Sequence, residues 1–453
     1  MSRVDGQSVR ESLRAQLWPV PLAAVLVAVV LGQALPFLDE RVDDRLPAAV
    51  SGVLFGGGPE AARSLLETIA SSTITVTSLT FSLTVVTLQL ASSQFSPRLL
   101  RTFTRDRFVH NTLALFLATF VFALTVLRSI RVQSSAGESF VPEIAVTTAF
   151  LLTLASVVGL VLFLAHLARQ IRVETMLRDV HRETEHSLER IYPEPGDTTP
   201  LEVRSPTNRG LLRSPRSGFL TRVDEGGLLD IATRRKVVVS VDVSPGTSLI
   251  ESVPVGRFWT ADGTPLEDHE SAKVSEEILG AFSTGFERTS TQDPSFGLQQ
   301  LLDVTDKALS PGVNDPTTAV HALSHISALL CSLAGRSTGP RTLTDGDGVP
   351  RVKLHLPTFT DLVELVMDQL ITYAFSDPRT ANRTIDMLSE IHTTATLTGA
   401  ALSTTTPLNA QLDKQLERVR TAVENSPMDD TIQRNLTEKI NSIRTTISTS
   451  IGR

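Results

Sequence analysis

Several groups of residues in this 453-residue chain have the types and spacing that chemistry needs. The most extended is a run of small polar side chains, Thr68, Ser71, Thr75, Ser78, Ser82, Gln89 and Ser92, interrupted only by Val85. They recur every three or four positions, which places them on one stripe of a helix. Their segment, residues 65–95, carries no charge after Glu67 and is long enough to cross a bilayer. A hydroxyl taken into hydrocarbon costs free energy unless it finds a partner, so the stripe is expected to face water or other helices. Facing water, it lines a path with Val85 as an apolar constriction. Facing helices, its hydroxyls bond back to their own carbonyls or across to a neighbour.

Three smaller constellations accompany it. Arg98, Arg101 and Arg105 share one helix face just beyond the stripe. They would form a positive vestibule that favours anions, or a plain anchor against anionic lipid headgroups. His321 and His325 stand four apart, which is metal-ligand spacing. No cysteine lies near them and the neighbouring acids belong to other elements, so no metal is expected. Arg288, Asp293, Asn314 and Asp315, with Asp303 and Asp306, make a polar cluster that would suit a small ligand. The plainer reading is that Asp293 and Asp315, each followed by proline, cap helices. No nucleophile elbow, phosphate-cradling glycine loop or metal motif is present, so neither an enzyme nor a cofactor is expected.

The elements that must position these groups are legible in the charge pattern. Four apolar segments, at about 17–38, 65–95, 109–127 and 144–168, approach the roughly 20 residues a spanning helix needs. Arg3, Arg10 and Arg14 precede the first, Arg98 to Arg107 separate the second from the third, and Arg169 and Arg172 follow the fourth. The alternate loops carry Asp39, Glu40, Asp43 and Asp44, and then Glu138 and Glu143. The positive-inside bias therefore expects both termini in the cytoplasm of a plasma (inner) membrane. The first segment lacks a convincing signal-peptide cleavage site. Net charge −7 and the lack of a basic, aromatic-interleaved run give no sign of nucleic-acid binding. The single cysteine, Cys331, excludes an intrachain disulfide and is expected to be a small buried hydrophobe.

Beyond the membrane segments, residues 170–208 read as an amphipathic stalk and a Pro/Thr/Ser-rich linker, with Ile171, Leu177, Val180, Leu188 and Ile191 on the stalk's apolar side. Residues 209–265 read as a small β-rich module, with strands near 237–243 and 249–255 around the Ser244-Pro245-Gly246 turn. In outline that module resembles a lipoyl-type barrel without the hairpin-tip lysine. Residues 266–453 read as helices, ending in a pair of long ones after about Leu408. The expected fold class is thus a mainly α membrane protein, with four transmembrane helices and a cytoplasmic α+β domain whose C-terminal part is helical.

Two stretches carry a family resemblance: residues 77–106 (TSLTFSLTVVTLQLASSQFSPRLLRTFTRD) and residues 288–320 (RTSTQDPSFGLQQLLDVTDKALSPGVNDPTTAV). They resemble the signature blocks of a bacterial membrane family known as domain of unknown function 2254, and the similarity is expected to run from the first span to the last helices. The resemblance implies four spans and a cytoplasmic domain, and no activity.

The residues themselves lead to a homo-oligomeric channel or pore, with the second helix lining the path and the cytoplasmic domain regulating it. The alternative is a non-conducting, membrane-anchored sensor or scaffold. In either case the partners expected are the bilayer, further copies of the chain and anions or anionic lipids. On this topology a thiol introduced by Arg101→Cys in intact cells should react only after the membrane is made permeable, whereas Asp43→Cys should react with an external reagent at once. External labelling at position 101 would reverse the orientation.

Overall fold

Each apolar segment is a helix: α1 (Pro19–Val42), α2 (Pro59–Gln94), α3 (Arg107–Leu127) and α4 (Glu143–Gln170). In the computed structural model, residues 18–42, 54–94, 106–131, 140–170, 172–194, 209–397 and 402–451 are described. A helix satisfies its backbone polar groups internally, which suits sequences with no charge over such lengths. α2 starts six residues before the expected 65, because Pro59 and Glu60 make a favourable first turn after Gly56, Gly57 and Gly58.

The chain divides at Arg172/Val173 into two compact units. In the first, α3 is the hub, packing against α1, α2 and α4. Its core joins Leu66 and Ile69 of α2, Phe122 and Val126 of α3 and Val146 of α4. Small residues set the closest approach: a Cβ on Gly32 would lie 2.8 Å from the Thr125 Cβ. The buried hydroxyls of Thr119 and Ser156 meet at 3.1 Å and tie α3 to α4. Asp39, buried near the end of α1, accepts hydrogen bonds from the Ile144 and Ala145 amides, each at 3.1 Å. It thereby fills the positive N-terminus of α4 with a carboxylate.

The second unit opens with α5 (Val173–Ile191), and the expected stalk is this helix, begun anew rather than continued from α4. Its buried face is Met176, Leu177, Val180, Thr184, Ser187, Leu188 and Ile191. Next come β1 (Gly210–Arg213), β2 (Gly218–Val223), α6 (Glu225–Arg235), β3 (Val237–Val241), β4 (Ser248–Leu249), β5 (Pro254–Thr260), α7 (Asp268–Leu279) and β6 (Phe282–Gly285). Helices α8 (Phe296–Leu309) and α9 (Pro316–Ala334), a hairpin of β7 (Arg341–Thr344) and β8 (Pro350–Leu354), and α10 (Phe359–Tyr373), α11 (Pro378–Leu397), α12 (Leu402–Glu424) and α13 (Asp430–Ile451) complete it.

The strands form a five-stranded sheet, β1-β5-β3-β8-β7, and a three-stranded sheet, β4-β2-β6. β3 and β8 run parallel, and every other pair in the two sheets is antiparallel. Two expectations are corrected here. The β module is no lipoyl-type barrel, since α6 is inserted between β2 and β3. The region after residue 266 is not wholly helical either: β6, β7 and β8 lie in it, and β8 completes the sheet through buried Val352 and Leu354. A parallel partner needs a long crossover, so this strand lies far along the sequence from β3.

Among the described residues five helices, α1 to α4 and α9, are long and apolar enough to cross a membrane. α9 is covered within its own unit by α5, α8, α10 and α11. The packing of α5 on α8 turns on Gly297, where a Cβ would fall 1.7 Å from the Thr184 Oγ1. Gly297→Ala should therefore destabilise the second unit by about 1–3 kcal/mol through overpacking. Thermal unfolding of the purified chain in detergent measures this, and an unchanged midpoint would show that α5 yields freely.

Candidate functional site

α2 presents two polar faces rather than one. Thr68, Ser71, Thr75, Ser78, Ser82, Val85 and Gln89 all lie on its exposed side, and Ser92 is on the same helix with its side chain outside the described residues. On the opposite side Thr73, Thr77, Thr80, Thr84 and Thr87 are buried, continuing the line of Ala62, Leu66 and Ile69. Val76 and Leu83 are half-buried and Leu90 is exposed. The alternating spacing of four and three between the buried threonines was visible in the sequence and marks the true packing face.

The two faces differ in how their hydroxyls are satisfied. Thr68 and Thr75 donate to the carbonyls of Ser64 and Ser71, each at 2.8 Å, and Ser71 donates to Thr68 at 3.1 Å. Ser78 and Ser82, midway along the exposed stripe, make no hydrogen bond among the described residues. On the buried face Thr77, Thr84 and Thr87 bond back to Thr73, Thr80 and Leu83 at 2.7–2.8 Å. The Thr80 hydroxyl, fully buried, has no partner among the described residues. Large apolar side chains flank the exposed stripe, including Leu79, Phe81 and Val86. The proposed vestibule residues Arg98, Arg101 and Arg105 lie outside the described residues.

Sequence reasoning counted only Asp, Glu, Lys and Arg in the spans and so passed over two histidines. Asp106, immediately before α3, caps it by accepting from the Phe108 amide at 2.8 Å. Its other oxygen meets the His166 Nε2 of α4 at 2.5 Å, and the Phe108 ring lies 4.7 Å from that imidazole. His110 is buried one turn further into α3. An Asp before an apolar run, with a His near the end of the next run, was the available signal.

In the second unit the expected polar cluster separates into individually engaged groups. Arg288 pairs with the buried Asp293 at 2.7 Å. Asp293 also accepts from the Ser295 amide at 3.1 Å, and a Cβ on Gly246 (φ +96°) would collide with its carboxylate at 2.1 Å. Burial raises the Asp293 pKa, with Arg288 opposing. Asp293 does not cap α8, because that helix begins at Phe296 with Ser295 as its N-cap residue. The carboxylate instead closes a turn upstream, where Arg288 can reach it. Asp315 is the expected cap, accepting from the Thr318 amide at 3.1 Å and its hydroxyl at 2.6 Å, and these bonds lower its pKa. Asn314, beside it, takes a left-handed backbone (φ +48°).

The remaining groups are quickly placed. Asp306 is bound by the Gln369 amide, has one buried oxygen without a partner among the described residues, and is pushed up to about 6 by burial. Cys331 is free and half-buried. His321 is exposed, while His325 turns to His181 of α5. Among the described residues no group of three or more His, Cys, Asp or Glu is placed to hold a metal.

These partners set the expected substitution pattern. Asp315→Asn should be nearly silent, whereas Asp315→Ala should cost about 1 kcal/mol. Asp293→Ala removes the buried carboxylate that Arg288 and the Ser295 amide bind and should cost about 1–3 kcal/mol. Thermal unfolding of the full chain ranks the three. Loss of a cellular phenotype with Asp315→Asn at unchanged stability would give that carboxylate a role beyond capping.

Comparison with known proteins agrees with the quoted blocks. The family model described as "Predicted membrane protein (DUF2254)" matches residues 14–390. The match ends inside α11, so it stops short of α12 and α13, which the sequence reading had included. Uncharacterized proteins of Mycobacterium tuberculosis and Mycobacterium bovis are each 30% identical over 392 residues, covering 85% of this chain and 73% of theirs. No solved structure matches. On the family match and these relatives together, the chain belongs to the DUF2254 family of predicted membrane proteins.

Proposed function

We propose that the protein is a homo-oligomeric channel of the bacterial plasma membrane, with α1 to α4 as its spans, both termini in the cytoplasm and α2 lining the path. The observation that carries this reading is the hydroxyl stripe on the side of α2 turned away from the subunit's own core. That face is exposed in a single subunit, and the hydroxyls of Ser78 and Ser82 are unpartnered among the described residues. In hydrocarbon such groups would be costly, whereas water or the same helix of further copies would satisfy them. α9 is left out of the membrane because its own unit already covers it.

A second reading, a non-conducting anchored sensor or scaffold, is favoured by one specific feature. Thr68, Ser71 and Thr75 are satisfied by their own helix and need no water. The readings separate at Val85, which stands among the hydroxyls as an apolar ring that would gate by dewetting. Val85→Ser should raise salt-driven flux in proteoliposomes several-fold, and Ser78→Leu should reduce it. If α2 only joins helices, Ser78→Leu should instead weaken assembly by about 0.6–2 kcal/mol with no conductance to lose. Absence of flux from wild type and from Val85→Ser, in protein shown to be oligomeric, would favour the anchor.

A further inference from the structure

The first helix of the second unit, α5, begins with the third residue after α4 ends and packs on α8 and α9. Its contact is apolar for the most part, through Leu177, Val180 and Leu188. Within it two histidines meet, His181 of α5 and His325 of α9, with ring centroids 4.9 Å apart and planes at 55°. Both are half-buried, and neither ring makes a hydrogen bond among the described residues. The His181 Nδ1 is buried without a partner. As a lone pair it is tolerable there; as an N–H it would be a buried donor with no acceptor. Two imidazolium rings at this separation would also repel.

Among the described residues neither ring forms an ion pair with a carboxylate. On α9 itself, exposed His321 precedes His325 by one turn and lies within the field of Asp315. On α5, Arg178 pairs with Asp179, while Arg182 and Glu185 flank His181 in sequence. From α11, Arg383 reaches Ser324 at 3.0 Å but is held by Glu390. From α8, Asp303 and Asp306 are bound by Gln299 and Gln369, and Lys307 follows them. From α10, Asp361 is engaged by Thr358, Glu364 by Lys414 and Asp368 by Arg418. Burial, then His181 and His321, hold His325 below the usual histidine range.

We propose that the His181–His325 contact is a proton-sensitive latch that closes α5 onto α9 when both rings are neutral and releases it when His325 takes up a proton. The sign follows from linkage. The opened form takes up a proton more readily than the closed form, so closure is complete above the ordinary histidine range and is lost as pH falls through it. The latch holds whether or not the protein conducts.

Hydrogen exchange of the full-length protein in detergent, corrected for intrinsic rates, tests this between about pH 8 and about pH 5.5. Opening of α5 should rise on acidification by up to about tenfold per pH unit, the limit for one coupled proton. Histidine-free α13 serves as the internal reference. His181→Gln and His325→Gln should each abolish the response, and His321→Gln should retain it. The proposal is overturned if wild-type α5 loses no more protection than α13, if the response survives in His325→Gln, or if His321→Gln alone removes it. Should the latch variants fail to fold, the wild-type comparison of α5 with α13 decides by itself.

Discussion

A hydroxyl in hydrocarbon must have a partner, and that one constraint shapes the first unit. α2 carries polar side chains on two opposite faces, so no orientation in a bilayer hides them all from lipid unless both faces are covered. One face is covered by the subunit itself, where Thr77, Thr84 and Thr87 bond back to their own helix and the flat threonine surface lets neighbouring helices approach. The other face is exposed, and on the proposed reading water or further copies of the chain cover it. α3 is the hub of the unit, and α4 also touches α1 and α2 directly.

Two carboxylates at helix ends of this unit have structural work. Asp39 caps α4 from α1, and Asp106 caps α3 while binding His166 of α4. Both carboxylates thus fasten one helix to the next at a point where backbone amides are unsatisfied. An apolar substitution at either site would take from those amides the acceptor each now has.

How much of this was legible follows from the range of the interactions. The four apolar helices, the stripe on α2 and the Asp315 cap are local patterns of spacing and were readable directly. The second, threonine face of α2 was equally local but was masked by the assumption that a buried face is aliphatic. The parallel pairing of β3 with β8, the Asp293–Arg288 pair in place of a cap, and the Asp106–His166 bond join residues whose partnership no periodicity announces. The His181–His325 contact belongs to the same class, since its two rings come from helices separated by the whole β module.

The two units solve the burial of polar groups in opposite ways, and the difference bears on mechanism. In the second unit charge meets charge or amide, as in Arg288–Asp293 and Gln369–Asp306, and the buried atoms left without a partner among the described residues include His181 Nδ1 and one oxygen of Asp306. In the first unit the middle of α2 holds only neutral hydroxyls, which no change of pH can ionise. On the proposed reading, a path lined this way discriminates by width and hydration alone, because its lining has no charge to switch. On the same reading, a pH response can enter through the second unit, where protonation can alter packing, and α5 is the segment of that unit to which the last apolar helix is joined in the chain.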